Sequence, residues 1–198
     1  IAVELLKRLL AERVSLYQKT NIVQAEKFSD LLNRSLSSYL KGLLTNEEVI
    51  QELLNLAKEI SSSESAGNDL GLTREEKSFY DALTKPQAVQ DVYTNEQLVA
   101  MTKELTEALR KNRTIDWQKK ESARAGMRKM IKRLLKKYHY PPEEAANALE
   151  TVIRQCEQWS DSEDTASEPK LYSLQENLYS IAAEPNVKYN KKTNNYDY

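Results

Sequence analysis

Apolar side chains recur every three or four residues along most of this chain. The first twenty residues show the pattern at Val3, Leu6, Leu10, Val14 and Tyr17, which would lie on one face of an α-helix. The 198 residues include only four Gly and five Pro, whereas β-barrels and β-sandwiches need many turn residues. The sequence therefore predicts an all-α fold, an irregular helical bundle of about six to seven helices.

Three short motifs mark where helices begin. TNEE at Thr45–Glu48, TREE at Thr73–Glu76 and TNEQ at Thr94–Gln97 each have the pattern of a capping box. The Thr hydroxyl accepts a hydrogen bond from a backbone N–H that the first turn leaves unpaired, and the Glu or Gln reaches back. With the apolar periodicity, the motifs predict these helices: one through Val3 and Tyr17, then about Ile22–Leu40, Asn46–Ile60, Thr73–Leu83, Asn95–Lys111, Asp116–Tyr138 and Pro142–Trp159.

Composition divides the chain into four segments. Residues 1–60 are predicted to form a helical segment, residues 61–72 a linker, residues 73–159 a compact C-terminal helical domain, and residues 160–198 an acidic, Tyr- and Asn-rich tail. The linker is predicted from the stretch SSSESAGNDLG, whose residues are mostly small and polar and include two glycines. The tail is expected to pack weakly or to be ordered by a neighbour. Because the chain opens inside a helical pattern without Met, we expect it to be a piece of a longer polypeptide.

Charge is distributed unevenly along the chain. Residues 1–109 carry 12 Lys and Arg against 17 Asp and Glu, a net charge of −5. Residues 110–137 carry 12 against 2, a net charge of +10, and residues 138–198 carry 5 against 11, a net charge of −6. The overall charge of −1 thus hides one strongly basic segment, and such asymmetry indicates a binding surface.

The basic segment is amphipathic when it is drawn as a helix. Its apolar residues cluster on one side at about 100° per residue, and the remaining arc carries repeated cations. Pairs such as Arg124–Arg128 and Lys132–Lys136 place like charges four residues apart, which is unfavourable on an ordinary solvated helix. We therefore predict that this arc binds the phosphates of double-stranded DNA without reading its sequence. The predicted DNA-binding residues are Lys119, Lys120, Arg124, Arg128, Lys129, Lys132, Arg133, Lys136 and Lys137.

The basic arc also has interpretations that do not involve DNA. Cations at the C-terminal end of a helix suit its dipole, which accounts for Lys136 and Lys137 alone. Carboxylates of the same chain could neutralise the arc, either from the following acidic helix or from the tail, which would then mask it. An acidic surface on a partner protein could also bind it. Membrane binding is disfavoured because the apolar side of the helix is needed for the core.

Chemistry-bearing motifs are sparse. With Gly only at positions 42, 67, 71 and 126, no phosphate-binding loop can be written. His139 and Cys156 are the only residues of their types, which excludes a zinc site built mainly from His and Cys. We predict no catalytic residue, metal or cofactor in this segment. Trp117 is expected to anchor in the core, and Trp117 and Trp159 are candidates for partner contact. A single cysteine and the lack of an apolar run of membrane-spanning length suit a cytoplasmic protein that does not enter a membrane.

Two stretches resemble a known family. LTREEKSFYDAL at Leu72–Leu83 and NRTIDWQKKESARAGMRKMIKRLLKKYHYPPE at Asn112–Glu143 resemble the C-terminal region of the restriction (motor) subunit of type I restriction–modification enzymes, most strongly over residues 72–159. The resemblance implies a parent that is an ATP-dependent DNA translocase and endonuclease. Such a parent uses ATP and Mg²⁺ and works with modification and specificity subunits, while its catalytic motifs lie outside this segment. The expected role is a non-catalytic module for DNA-backbone binding and subunit assembly, and the alternative is an assembly module without DNA contact.

Overall fold

The described part of this computed structural model comprises residues 1–113 and 117–164, with side chains through residue 159. It contains eight α-helices and no strand, which confirms the all-α prediction. The helices are α1 (Ala2–Thr20), α2 (Ile22–Leu40), α3 (Asn46–Asp69), α4 (Arg74–Thr84), α5 (Gln87–Val92), α6 (Asn95–Asn112), α7 (Glu121–Lys137) and α8 (Pro142–Asp164). The short helix α5 was not predicted, because it buries only Val89 and has no periodic pattern.

All three capping boxes are formed. At the start of α3 the Glu48 backbone N–H donates to the Thr45 hydroxyl over 3.2 Å, and the Thr45 N–H donates to the Glu48 carboxylate over 2.7 Å. The same reciprocal pair opens α4 at Thr73 and α6 at Thr94. These local bonds satisfy N–H groups that the first turn of a helix leaves unpaired, which is why the motifs predicted the three starts correctly.

Two apolar clusters form the core of residues 1–164, which make one compact unit. The first cluster lies among α1, α2 and α3 and includes Phe28 and Leu53, both fully buried. The second lies among α4, α6, α7 and α8 and includes Phe79 and Trp117. The clusters correspond to the predicted segments 1–60 and 73–159, although the division into separate domains stays a prediction.

A buried polar junction connects the elements of the two clusters. Only Asn21 separates α1 from α2, and both Asn21 and Ile22 are buried. The Gln155 side chain of α8 accepts from the Ile22 N–H over 2.9 Å and donates to the Thr20 carbonyl over 3.0 Å. The Asn21 amide donates to Asp81 of α4 over 2.7 Å. Side chains from α4 and α8 therefore satisfy the polar groups at the break.

The predicted end of α3 was wrong. The helix does not stop at Ile60 but continues through the serine-rich stretch to Asp69, so most of the expected linker is helical. It ends in a Schellman motif: the Leu72 N–H donates to the Gly67 carbonyl, and Gly71 has a φ of +62°. Serine costs only a few tenths of a kcal/mol in a helix interior, and Gly71 is the stop signal that the composition obscured.

Two further helix boundaries, the start of α7 and the end of α8, differ from the prediction. Helix α7 begins at Glu121, not near Asp116, because Trp117–Lys119 form a turn. Helix α8 continues past Trp159 to Asp164, and neither Gly nor Pro interrupts the sequence before Pro169. The predicted tail therefore begins inside a helix, and its remainder, residues 165–198, lies outside the described residues.

We expect Gln155→Leu to destabilise the fold. The leucine is similar in size but leaves the buried Ile22 N–H and the partly buried Thr20 carbonyl without their partner, at a cost of about 2–4 kcal/mol in the free energy of unfolding. Equilibrium unfolding in urea measures this change. The control is Gln51→Leu, which removes an exposed bond to Asn55 on the same helix and should change stability by less than about 0.5 kcal/mol. Equal losses of stability in the two variants would contradict the role of Gln155.

Candidate functional site

Helix α7 lies with its apolar side in the second cluster. Met127, Ile131, Leu134 and Leu135 are buried, and the helix contacts α6 on one flank and α8 on the other. The preceding turn is anchored by Trp117, whose side chain is only 2% exposed. The expectation that Trp117 anchors in the core is confirmed. The orientation of α7 decides which cations face neighbouring helices and which face solvent.

Toward α8, two arginines are paired. Arg124 contacts Glu157 with 2.8 Å between Nη2 and Oε1, and Arg128 contacts Glu150 with 3.4 Å between Nη1 and Oε2. The two glutamates are seven residues apart on α8, so they lie on the same face of that helix. Neutralisation by the acidic helix, one of the alternatives from the sequence, therefore applies to Arg124 and Arg128.

Toward α6, the last lysine of the helix is paired. The Lys137 ammonium donates to both oxygens of Glu104, over 2.6 and 2.8 Å, and the Tyr138 hydroxyl donates to the same carboxylate over 2.6 Å. The bonds from Lys137 and Tyr138 lower the pKa of Glu104. Its carboxylate in turn raises the pKa of Tyr138. Sequence reasoning missed Glu104, because 33 residues separate it from Lys137 and no local pattern joins the two.

The remaining cations of α7 face solvent. Lys129, Lys132, Arg133 and Lys136 are exposed, and none of the four has an ion-pair partner among residues whose side chains the structure describes. Lys120, which precedes the helix, is also exposed without such a partner. We call Lys129, Lys132, Arg133 and Lys136 the open face. The structure thus divides the predicted DNA-binding residues of α7 into two groups. Arg124, Arg128 and Lys137, which we call the flanks, are paired with glutamates, and the open face is not.

A shallow depression runs along the open face. It is lined by Ala125, Arg128, Lys129, Lys132, Arg133 and Lys136. The aliphatic stems of the long side chains form its walls, and their charged ends extend into water. Ala125 is the one small residue of this lining and is exposed between the long side chains. The depression therefore reaches down to the helix backbone at Ala125.

The rest of the predicted site residues have different surroundings. Lys119 lies in the turn before α7 and is exposed. Trp159 is partly buried, packs edge-to-face on Phe79 at 5.8 Å between ring centroids, and has the Arg113 guanidinium 4.2 Å from its ring centre. Trp117 is too deeply buried to touch a partner in this conformation. The role of Trp159 in partner contact stays a prediction.

The residues considered for chemistry are accounted for structurally. Cys156 is fully buried in the second cluster, where burial raises the pKa of its thiol to about 12, so it is a core thiol. His139 is exposed at φ 57°, in the turn that ends α7. Among the described residues, no three His, Cys, Asp or Glu side chains gather as metal ligands would. Over the same ranges, no helix has the length and apolar character to cross a membrane.

We expect Lys137→Met to raise the pKa of Glu104. The lysine is the main cause of the lowered pKa in the folded protein, so its removal should return the titration toward that of an ordinary glutamate. Because folding lowers this pKa, the pair adds stability above the pKa of the unfolded chain, and this stability is lost as the pH falls through the folded pKa. NMR titration of the Glu104 carboxyl measures the shift. Lys136→Met, one residue along, should leave it unchanged, and a shift in both variants would contradict the assignment.

Comparison with known proteins identifies the family of the chain. Residues 1–162 match the family described as "Type I restriction enzyme HindI endonuclease subunit-like, C-terminal", a match that extends beyond the 72–159 region of the resemblance. No solved structure matches the chain significantly.

Two curated relatives agree with the family match. The HindI endonuclease subunit of Haemophilus influenzae is 38% identical over 156 residues, 79% of this chain and 15% of that protein. A putative type I restriction enzyme MjaIXP endonuclease subunit of Methanocaldococcus jannaschii is 30% identical over 135 residues, 68% of this chain and 13% of that protein. The chain therefore spans less than a sixth of either relative, and it belongs to the family of C-terminal regions of HindI-like type I restriction endonuclease subunits.

Proposed function

We propose that this chain is a non-catalytic module that holds the DNA backbone and contacts the modification and specificity subunits of a type I restriction complex. The polypeptide that carries it is proposed to be a cytoplasmic, ATP-dependent DNA translocase and endonuclease, with ATP and Mg²⁺ used in parts outside this chain. The names of the two relatives support the endonuclease assignment.

The open face is the observation that supports the DNA-binding part of this proposal. Four cations lie within eight consecutive residues of one helix, and no described carboxylate pairs with them. The neighbouring acids Glu104, Glu150 and Glu157 form ion pairs with the flanking cations Lys137, Arg128 and Arg124. Positive charge with no acid in reach among the described side chains suits a ligand that brings its own row of negative charges.

The dimensions agree with a DNA backbone. Lys129 and Lys136 are seven residues apart, which is about 10 Å along a helix axis. One strand of DNA presents a phosphate about every 3.4 Å of duplex axis, so about three phosphates of one strand fall within that length of duplex. Contacts to phosphates fix position but carry no direct sequence information. The proposed binding is therefore electrostatic and independent of sequence.

The assembly half is supported by a separate surface. Of the exposed large hydrophobic residues, Leu5, Leu9 and Leu16 lie on α1, far along the sequence from the open face. Apolar side chains grouped on a surface are typical of protein contacts. If the open face met an acidic protein surface instead of DNA, the module would serve assembly alone.

We expect replacement of Lys129, Lys132 and Lys136 by Gln to weaken binding to a random-sequence DNA duplex and to flatten its salt dependence. Each phosphate that the protein no longer neutralises should reduce the slope of log K against log salt by about 0.9, or about 2.7 for three phosphates. Fluorescence anisotropy with labelled duplexes at several salt concentrations measures the slope.

The control removes the same charge elsewhere. Lys41, Lys58 and Lys103 are exposed, lie outside α7, and have no ion-pair partner among residues with described side chains. Their replacement by Gln should leave the slope close to that of the unchanged protein. The DNA proposal fails if both triple variants change the slope equally, or if neither does. Two duplexes of unrelated sequence should give the same result, because phosphates carry the contact.

A further inference from the structure

A line of exposed apolar residues runs along α1. Leu5, Leu9 and Leu16 are 57%, 50% and 51% exposed. On a helix with 3.6 residues per turn they fall within about 40° of one another. The buried residues of the same helix, Leu10 and Val14, lie on the opposite side of the helix from these three leucines. Helix α1 therefore has a second apolar line that its own core does not use.

The spacing of this line is that of a helix–helix seam. Exposed residues alternate at intervals of three and four along α1, at Ala2, Leu5, Leu9, Glu12, Leu16 and Lys19. This is the a/d repeat by which two helices pack side by side. Glu12 interrupts the apolar residues at the centre, and it has no ion-pair partner among the described side chains. A polar residue at a single seam position fixes register and partner choice.

We propose that this seam binds one amphipathic helix of another subunit, and that the helix places a Lys or Arg opposite Glu12. The inference rests on the assembly half of the proposed function and names its surface. Three leucines supply the apolar contact, and the central carboxylate selects a partner helix with a basic residue in its own seam. Arg8 borders the seam without a described ion-pair partner, which favours an acidic residue on that side of the partner helix.

Charge argues against a second copy of this chain as the partner. In a parallel pair of α1 helices, Glu12 would face Glu12 of the other copy. In an antiparallel pair that sets Leu5 against Leu16, Glu12 would face Leu9 and Arg8 would border Arg13. Like charges and a carboxylate against leucine are both unfavourable. The seam therefore suits a different helix better than its own copy.

Binding of the full polypeptide that carries this chain to purified modification and specificity subunits tests the seam. Leu9→Asp should weaken the complex about tenfold or more, because a carboxylate enters the centre of an apolar contact. Leu54→Asp is the matched control: Leu54 is an exposed leucine of α3 outside the seam, and its replacement should leave affinity unchanged. Circular dichroism should show equal helix content in both variants. If the Leu9→Asp variant and the unchanged protein bind the subunits with equal affinity, the proposal that the seam binds a partner helix is wrong.

A photo-crosslinking amino acid identifies what occupies the seam without weakening the fold. Placed at position 9, it should crosslink to a modification or specificity subunit, within a helical segment that carries a basic residue in an apolar heptad. Placed at position 11, which is exposed on another side of α1, it should not. A crosslink from position 9 to the same polypeptide or to a second copy of it overturns the proposal.

Different results would contradict the assembly function and the role of the seam. If the unchanged polypeptide does not bind the modification and specificity subunits, the assembly function itself is wrong. If it binds them and the Leu9→Asp variant binds equally well, assembly stands and only the seam is wrong. The salt dependence of DNA binding is independent of both results, because it depends on α7.

Discussion

The single-residue break at Asn21 is the constraint on which the rest of the structure depends. Asn21 and Ile22 are buried where α1 meets α2, and buried backbone groups need partners. Gln155 binds the groups on both sides of the break, and Asp81 binds Asn21 itself. Helices distant in sequence are therefore required at the point where α1 meets α2. Polar geometry, which is directional, fixes their positions more narrowly than apolar contact alone.

Helix α8 joins this constraint to the basic helix. Gln155 serves the break, Val152 and Ile153 fill the second cluster, and the glutamates seven residues apart contact the arginines of α7. A further residue, Arg154, contacts Glu26 of α2 over 3.0 Å. Since one rigid helix carries all of these groups, the register that satisfies the break also sets which carboxylates reach α7. The electrostatics of the candidate site thus depends on packing at the α1–α2 break, far from α7 in sequence.

Local signals in the sequence predicted the local parts of the structure. Capping boxes and apolar periodicity predicted the starts of α3, α4 and α6 and the full extent of α2, because their physics lies within a few residues. The serine-rich stretch was misread as a linker because its composition resembles one, while its helix is ended by Gly71. The pairing of Lys137 with Glu104, and the bond between Gln155 and the break, depend on tertiary packing. No sequence pattern of one chain reveals such contacts.

The division of α7 into flanks and open face follows from how far neighbouring side chains reach. Helices pack about 8–10 Å apart, so carboxylates on α6 and α8 reach the flanks of α7 but not the side that points away from both. On that side, Lys129–Arg133 and Lys132–Lys136 are four residues apart, and Lys129–Lys132 and Arg133–Lys136 three. At a few tenths of a kcal/mol for each like-charge pair, the arrangement costs about 1 kcal/mol. Glutamates at two of these positions would remove that cost without touching the core. A fold that needed α7 only for packing would gain stability from such a change, whereas the proposed polyanion on the open face would offset the same cost and would require the cations.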